Sequence, residues 1–227
     1  MTHELAGLAT NGVLRAAINT GNRALVQQDG DMLTGISPAL ARRLADEIGA
    51  NLQPVIYSGA GKVFADAQKN LWDIAFLAID PERAKRVSFT RPYHTIEATY
   101  AVRAGSCITT PKDADREGVT ILSSRGSAYQ LHLSNTLRHA RLEIDGTPPE
   151  SFAAFRAGTG DVVAGVRQSL EREFGGDPDH RVLAVPLTAV AQAMVLPRRA
   201  DPMIDALDAF VARALDSGFV AQTLERS

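Results

Sequence analysis

Apolar residues along this chain follow two alternating rhythms. Short apolar-rich runs mark Val13 to Ile18, a stretch around Gln53 to Tyr57, and Asp73 to Ile79, and between them apolar positions recur three and four residues apart. Strand runs separated by helical stretches predict an α/β architecture with parallel strands. The first helix is predicted from Ser37 as its cap and Pro38 at its first position, with Leu40, Leu44 and Ile48 on one face and Gly49 as its stop. A second covers Val63 to Asn70, and Asp80-Pro81 opens a third.

After a strand over Ala98 to Arg103 the alternation begins again. Val119 to Leu122 reads as a strand, Ser127 to His139 and Pro149 to Arg156 as helices, and Asp161 to Gly165 as a strand. Arg181 to Pro197 carries two extended runs, and Asp201-Pro202 opens a final helix with Ile204, Leu207, Val211 and Leu215 inward, stopped by Gly218. No repeat or low-complexity linker interrupts the chain. The layout predicts two α/β units joined by extended segments near residues 98–103 and 187–193, which act as paired hinges. The expected division is a first lobe from residues 1–102, a second lobe from 103–188, and a return to the first lobe over 189–227.

The 227 residues are 45% hydrophobic and 22% charged, which allows a sizeable core and excludes disordered and fibrous classes. Lys and Arg number 24 against 26 Asp and Glu, a net charge of -2, so no basic surface argues for nucleic acid or an anionic membrane. The expected partner is a small molecule and the chain a monomer. Cys107, the lone cysteine, excludes an internal disulfide framework and a thiolate zinc site. No stretch approaches the ~18 apolar residues of a membrane span, so no direct membrane insertion is expected. The opening MTHELAGLATNGVLRAAIN has no basic region followed by a long apolar core, which leaves the compartment open.

Ligands of open α/β sheets bind beyond the carboxyl ends of the strands, so four strand-to-helix junctions are candidates: Asn19 to Asn22, Ala78 to Arg83, Ser124 to Tyr129, and Gly165 to Arg167. In the second, Asp80 fits a helix cap and Pro81 the first position, which sets Arg83 in the first turn. A cation there opposes the helix dipole by roughly 0.3 to 1 kcal/mol. Either Arg83 and the free N–H groups of that helix end grip a carboxylate, or Arg83 pairs with Glu82 or Asp80 at the surface. In the third junction Gly126 permits close backbone approach, and Ser127 either caps its helix or donates to an anion.

Several of these segments together resemble a known family. Gly35 to Ala41, Trp72 to Arg83, Val87 to Tyr93, Arg125 to Ala128, Phe152 to Ala164 and Phe210 to Thr223, with Asp216-Ser217-Gly218-Phe219, are similar to the family 3 extracellular solute-binding proteins of amino-acid ABC transporters. The resemblance runs nearly end to end. It implies the type II periplasmic binding protein fold, two α/β lobes on two hinge strands, a cleft that closes on ligand, delivery to a membrane permease of an ABC transporter, and a periplasmic location. It further implies that Arg83 holds the ligand's α-carboxylate, helped by the helix end at Gly126, Ser127 and Ala128, and that no cofactor is needed.

The departures from the family pattern bear on the ligand. Asn22 and Ala60 stand where the resemblance leads one to expect aromatic residues, Ala78 where a serine or threonine is common, and Val166 where an aspartate holds the ligand's ammonium. Either the ligand is a carboxylate without an α-ammonium, or another acid substitutes, Glu97 being the best candidate. Asn19, Asn22 and Gln192 are candidates for uncharged hydrogen bonds, and Tyr129 for a place over the ligand.

An enzyme on the same scaffold, similar to cyclohexadienyl dehydratases, is the alternative to a binder. It needs a general acid or base in the cleft, for which Glu97 and Lys62 are the candidates. No hydrolase, zinc-protease or phosphate-loop motif occurs, and His3, His94, His132, His139 and His180 lack metal-ligand spacing. The expectation is a non-enzymatic binder with no metal.

Overall fold

A computed structural model describes residues 2–226, apart from the side chains of Thr2, His3 and Arg199. His3 therefore lies outside the described side chains. The strands are β1 (Val13–Asn19), β2 (Gln27–Asp29), β3 (Met32–Thr34), β4 (Asn51–Tyr57), β5 (Ile74–Ala78), β6 (Val87–Arg103), β7 (Thr120–Ser124), β8 (Arg141–Asp145), β9 (Val162–Val166), β10 (His180–Val182) and β11 (Thr188–Pro197). The helices are α1 (Thr2–Leu5), α2 (Ile36–Ile48), α3 (Ala60–Ala65), α4 (Pro81–Ala84), α5 (Pro111–Ala114), α6 (Ala128–Thr136), α7 (Pro148–Arg156), α8 (Arg167–Phe174), α9 (Ile204–Asp216) and α10 (Phe219–Glu225).

Two α/β halves share one mixed sheet in the order β4-β1-β5-β11-β6-β9-β7-β8, with β10 also on β6. The long strand β6 joins them. It pairs with β11 from Val87 to Ala98, then with β9 from Ala98 to Val102. Parallel pairs β1–β4, β1–β5, β7–β8 and β7–β9 build the outer parts, and the antiparallel β6–β11 pair crosses the middle.

Position in the sheet explains composition. Every residue of β5 and of β9 is buried, as interior strands covered on both faces require, and both are continuous apolar runs. Strand β4 lies at the sheet edge and tolerates Pro54, which cannot donate to a neighbour. One core packs α2 and α9 against the first half and runs through β6 into the second, while Trp72 and Val63 lie in a second core and Phe152, Phe155 and Phe174 in a third.

Several expectations need correction. Ser37 does not cap α2; Gly35 does, with φ at 100°, and a Cβ there would stand 2.5 Å from the Leu25 carbonyl oxygen. Ser37 is instead buried, its hydroxyl 3.3 Å from that of Tyr93. The helix expected over Val63 to Asn70 runs only from Ala60 to Ala65. The strand expected over Ala98 to Arg103 begins at Val87, because register shifts beside Ala193 let β6 continue through Pro92. The helix expected to open at Asp201-Pro202 begins at Ile204, after a 3₁₀ stretch; it stops before Gly218 as expected, and α10 follows that glycine.

Candidate functional site

The strand ends converge on a single cleft between the two halves of the sheet. Asn19 closes β1, Ala78 closes β5, Ser124 closes β7 and Val166 closes β9, all four lining a space of about 710 Å³ that includes its open mouth. Gln192, opposite Ala78 on β11, completes the floor. Three of the four junctions found in the sequence meet here through several residues, and the fourth contributes Val166.

Arg83 stands at the centre and is 1% exposed. Asp80 caps α4 through Pro81's neighbours, its Oδ1 accepting the N–H groups of Glu82 and Arg83 at 2.9 and 3.0 Å. Those N–H groups are thus consumed, so α4 can offer an anion only the guanidinium. Nor is Arg83 a surface ion pair: Glu82 is bound by Lys85 at 2.6 Å. The guanidinium donates from Nη1 to Ala78 O at 2.9 Å and from Nη2 to Gly126 O at 2.7 Å, while its buried Nε has no acceptor among the described residues. Desolvation lowers its pKa to about 10, a shift that the negative charge of Asp80 only partly offsets.

The bond to Gly126 O crosses from one half to the other. Gly61 of α3 packs on the same segment so closely that a Cβ on it would lie 2.4 Å from Arg125 O. A further cross-cleft bond runs from Arg23 N to Ser169 Oγ at 3.2 Å. The cleft is therefore closed.

At α6, Ser127 is the cap, its Oγ accepting Gln130 N–H at 3.1 Å. Its own N–H donates to Ser124 O, and Gly126 N–H to Gln130 Oε1. The N–H groups of Ala128 and Tyr129, both cleft residues, have no acceptor among the described residues. Gly126 itself does not line the cleft and reaches it only through the carbonyl that Arg83 holds. The Tyr129 ring is buried, with its hydroxyl 2.8 Å from Ser124 Oγ.

Asn19 and Asn22 line the cleft with their side-chain oxygens tied into turns, accepting Gly21 and Ala24 N–H. Their amide NH₂ groups remain as donors. Glu97 does not line the cleft. Its half-exposed carboxylate is 2.8 Å from Arg167 Nε, and Arg167 also donates to the Leu183 and Ala184 carbonyls. Lys62 is likewise outside, 3.2 Å from Ser58 Oγ at the surface. Sequence reasoning missed Ser169, which enters from α8, and the apolar walls Phe76, Ile96 and Val190. Their apolar character alone could not distinguish a cleft from a core. Among the described residues, no group of His, Cys, Asp and Glu could hold a metal.

The sequence profile of the bacterial extracellular solute-binding proteins, family 3, matches residues 14–226. A glutamine-binding protein of Geobacillus stearothermophilus is 28% identical over 110 residues, which is 48% of this chain and 42% of that relative, so the match spans less than half of either. Among solved structures, a cysteine-binding protein from Campylobacter jejuni superposes with a TM-score of 0.84 at 21% identity, covering 98% of this chain and 91% of the other. An ancestral amino acid-binding protein, a precursor of cyclohexadienyl dehydratase, gives 0.82 at 19% identity and 98% of both chains. The fold is that of the type II periplasmic binding proteins. With a profile match across almost the whole length, the chain belongs to the bacterial extracellular solute-binding proteins, family 3.

Proposed function

We propose that this chain is the solute-binding component of an ABC-type transporter, that it takes up a small carboxylate-bearing molecule in its cleft, and that it hands the molecule to a membrane permease. One observation carries the reading. A guanidinium buried at the meeting point of the strand ends has no carboxylate hydrogen-bonded to it among the described residues and uses only two of its five N–H groups, and such a charge is costly until an anion arrives from outside. Two charge-assisted hydrogen bonds of about 1.5 to 3 kcal/mol each make a carboxylate the main anchor of a micromolar ligand.

In this reading residues 1–102 and 189–227 form one lobe and 103–188 the other, and β6 and β11 are the hinge about which they open. Arg83, Ala128 and Tyr129 receive the carboxylate, while Asn19, Asn22, Ser127 and Gln192 supply neutral polar contacts beside Ala78 and Val166. The relatives' names, glutamine-binding, cysteine-binding and amino acid-binding, favour a small carboxylate, and the family favours a periplasmic location. In this reading the ligand is bound and released unchanged, which the positions of Glu97 and Lys62 outside the cleft support.

A thermal-shift screen of amino acids, oxo acids and other organic acids tests this. A bound ligand at a hundredfold excess over its dissociation constant adds about 2.7 kcal/mol of stability. The response should vanish in Arg83→Ala, and mass spectrometry should recover the ligand unchanged. A response that survives in Arg83→Ala, or conversion of the ligand, contradicts the proposal.

A further inference from the structure

The cleft carries charge of one sign only. Its lining has a buried cation, Arg83, and an exposed one, Arg125, and no aspartate or glutamate among the described residues. An α-amino acid brings both charges, and its ammonium needs an acid or a set of free carbonyl oxygens once water is excluded. The oxygens nearest the anchor, Ala78 O and Gly126 O, each already accept from Arg83, and the guanidinium charge beside them opposes a second cation. The side-chain oxygens of Asn19 and Asn22 are tied into their own turns.

The opposite wall offers hydrocarbon. Val166, at the start of α8, is 9% exposed and faces the cleft beside Ile96 and Val190. Glu97, the nearest acid on the hinge strand, is held away by Arg167, and that guanidinium is itself fixed by two further carbonyls. What remains are neutral groups, the amide NH₂ donors of Asn19 and Asn22 and the side-chain amide of Gln192, which suit a ketone or hydroxyl oxygen better than a second cation.

We infer that this cleft selects carboxylates without an α-ammonium, such as 2-oxo acids with an apolar body, over the corresponding amino acids. The inference rests on the proposed anchoring of a carboxylate by Arg83. It turns on the missing negative charge, a separate feature of the same cleft.

Titration calorimetry with matched pairs tests it: pyruvate with alanine, 4-methyl-2-oxopentanoate with leucine, and 2-oxoglutarate with glutamate, each at up to about 10 mM. The tightest of the six should be an oxo acid, and its amino partner should bind at least tenfold more weakly. Val166→Asp should move that ratio tenfold or more toward the amino acid. Aspartate suits this position, since Val166 is the cap of α8 and makes no side-chain cap bond. If the variant fails to fold, the wild-type ratios decide alone. An amino acid as the tightest ligand overturns the inference and leaves the anchor intact, whereas a tightest ligand unaffected by Arg83→Ala overturns the anchor. No binding by any of the six overturns the inference for this class of ligand.

Discussion

Gly61 and Gly126 meet across the cleft, and a Cβ added to Gly126 would lie 2.6 Å from the Gly61 Cα. The closed arrangement therefore depends on two residues without side chains, one from each half. Gly126 also has φ at 67°, so a substitution there mixes backbone strain with the clash. Gly61 has no such complication. Gly61→Ala should leave the ligand-free protein folded, because the halves can part, but weaken ligand binding at least tenfold by obstructing closure. Calorimetry paired with a urea melt separates the two effects. A variant that binds normally would show that closure tolerates the methyl group.

Arg83 is expected to serve binding at no benefit to the fold. Replacing a buried ion by an apolar side chain of similar size is often neutral, or stabilising by about 1 to 4 kcal/mol. Arg83→Met should keep the ligand-free urea midpoint at or near that of the wild type and abolish ligand-induced stabilisation. A loss of more than about 3 kcal/mol in the free protein would mark Arg83 as a structural residue.

Glu97 should matter little to binding. Its ion pair with Arg167 is partly open to solvent, and such pairs contribute about 0 to 1 kcal/mol. Glu97→Gln should change ligand affinity by less than about threefold in calorimetry. A larger loss would mean that the carboxylate turns into the cleft when ligand binds.

Asp115 gives the fold a pH dependence. Its carboxylate accepts the N–H groups of Ala140, His139 and Arg138, at 3.0, 2.9 and 3.1 Å, and these bonds hold its pKa below the ordinary value. A folded pKa below the unfolded one contributes stability that is present above about pH 4 and lost as pH falls through the folded value. Asp115→Asn should therefore cost about 1 to 2 kcal/mol at pH 7, and the gap should narrow toward pH 3. Urea melts at both pH values read this directly. An equal gap at both would assign the cost to geometry and not to charge.

Local signals made much of this legible in the sequence. Asp80-Pro81 marked the α4 cap and placed Arg83 in its first turn, and the buried runs of β5 and β9 were visible as apolar stretches. Partners distant in sequence were not legible. Nothing near Glu97 announces Arg167, 70 residues away, and nothing near Arg83 announces the Gly126 carbonyl 43 residues on. The first half of β6 was obscured by Pro92, which reads as a break until the register shift beside Ala193 accommodates it. Strand β8, at the sheet edge, has no fully buried residue, so its sequence has no strong pattern to read.

The most direct measurement is a crystal structure with the tightest carboxylate from the paired titrations. The account predicts that the carboxylate lies between the two halves with an oxygen about 2.7 to 3.2 Å from Arg83 Nε, the buried N–H that has no acceptor among the described residues. A ligand bound in the cleft with its carboxylate away from Arg83, or bound elsewhere on the molecule, would contradict it.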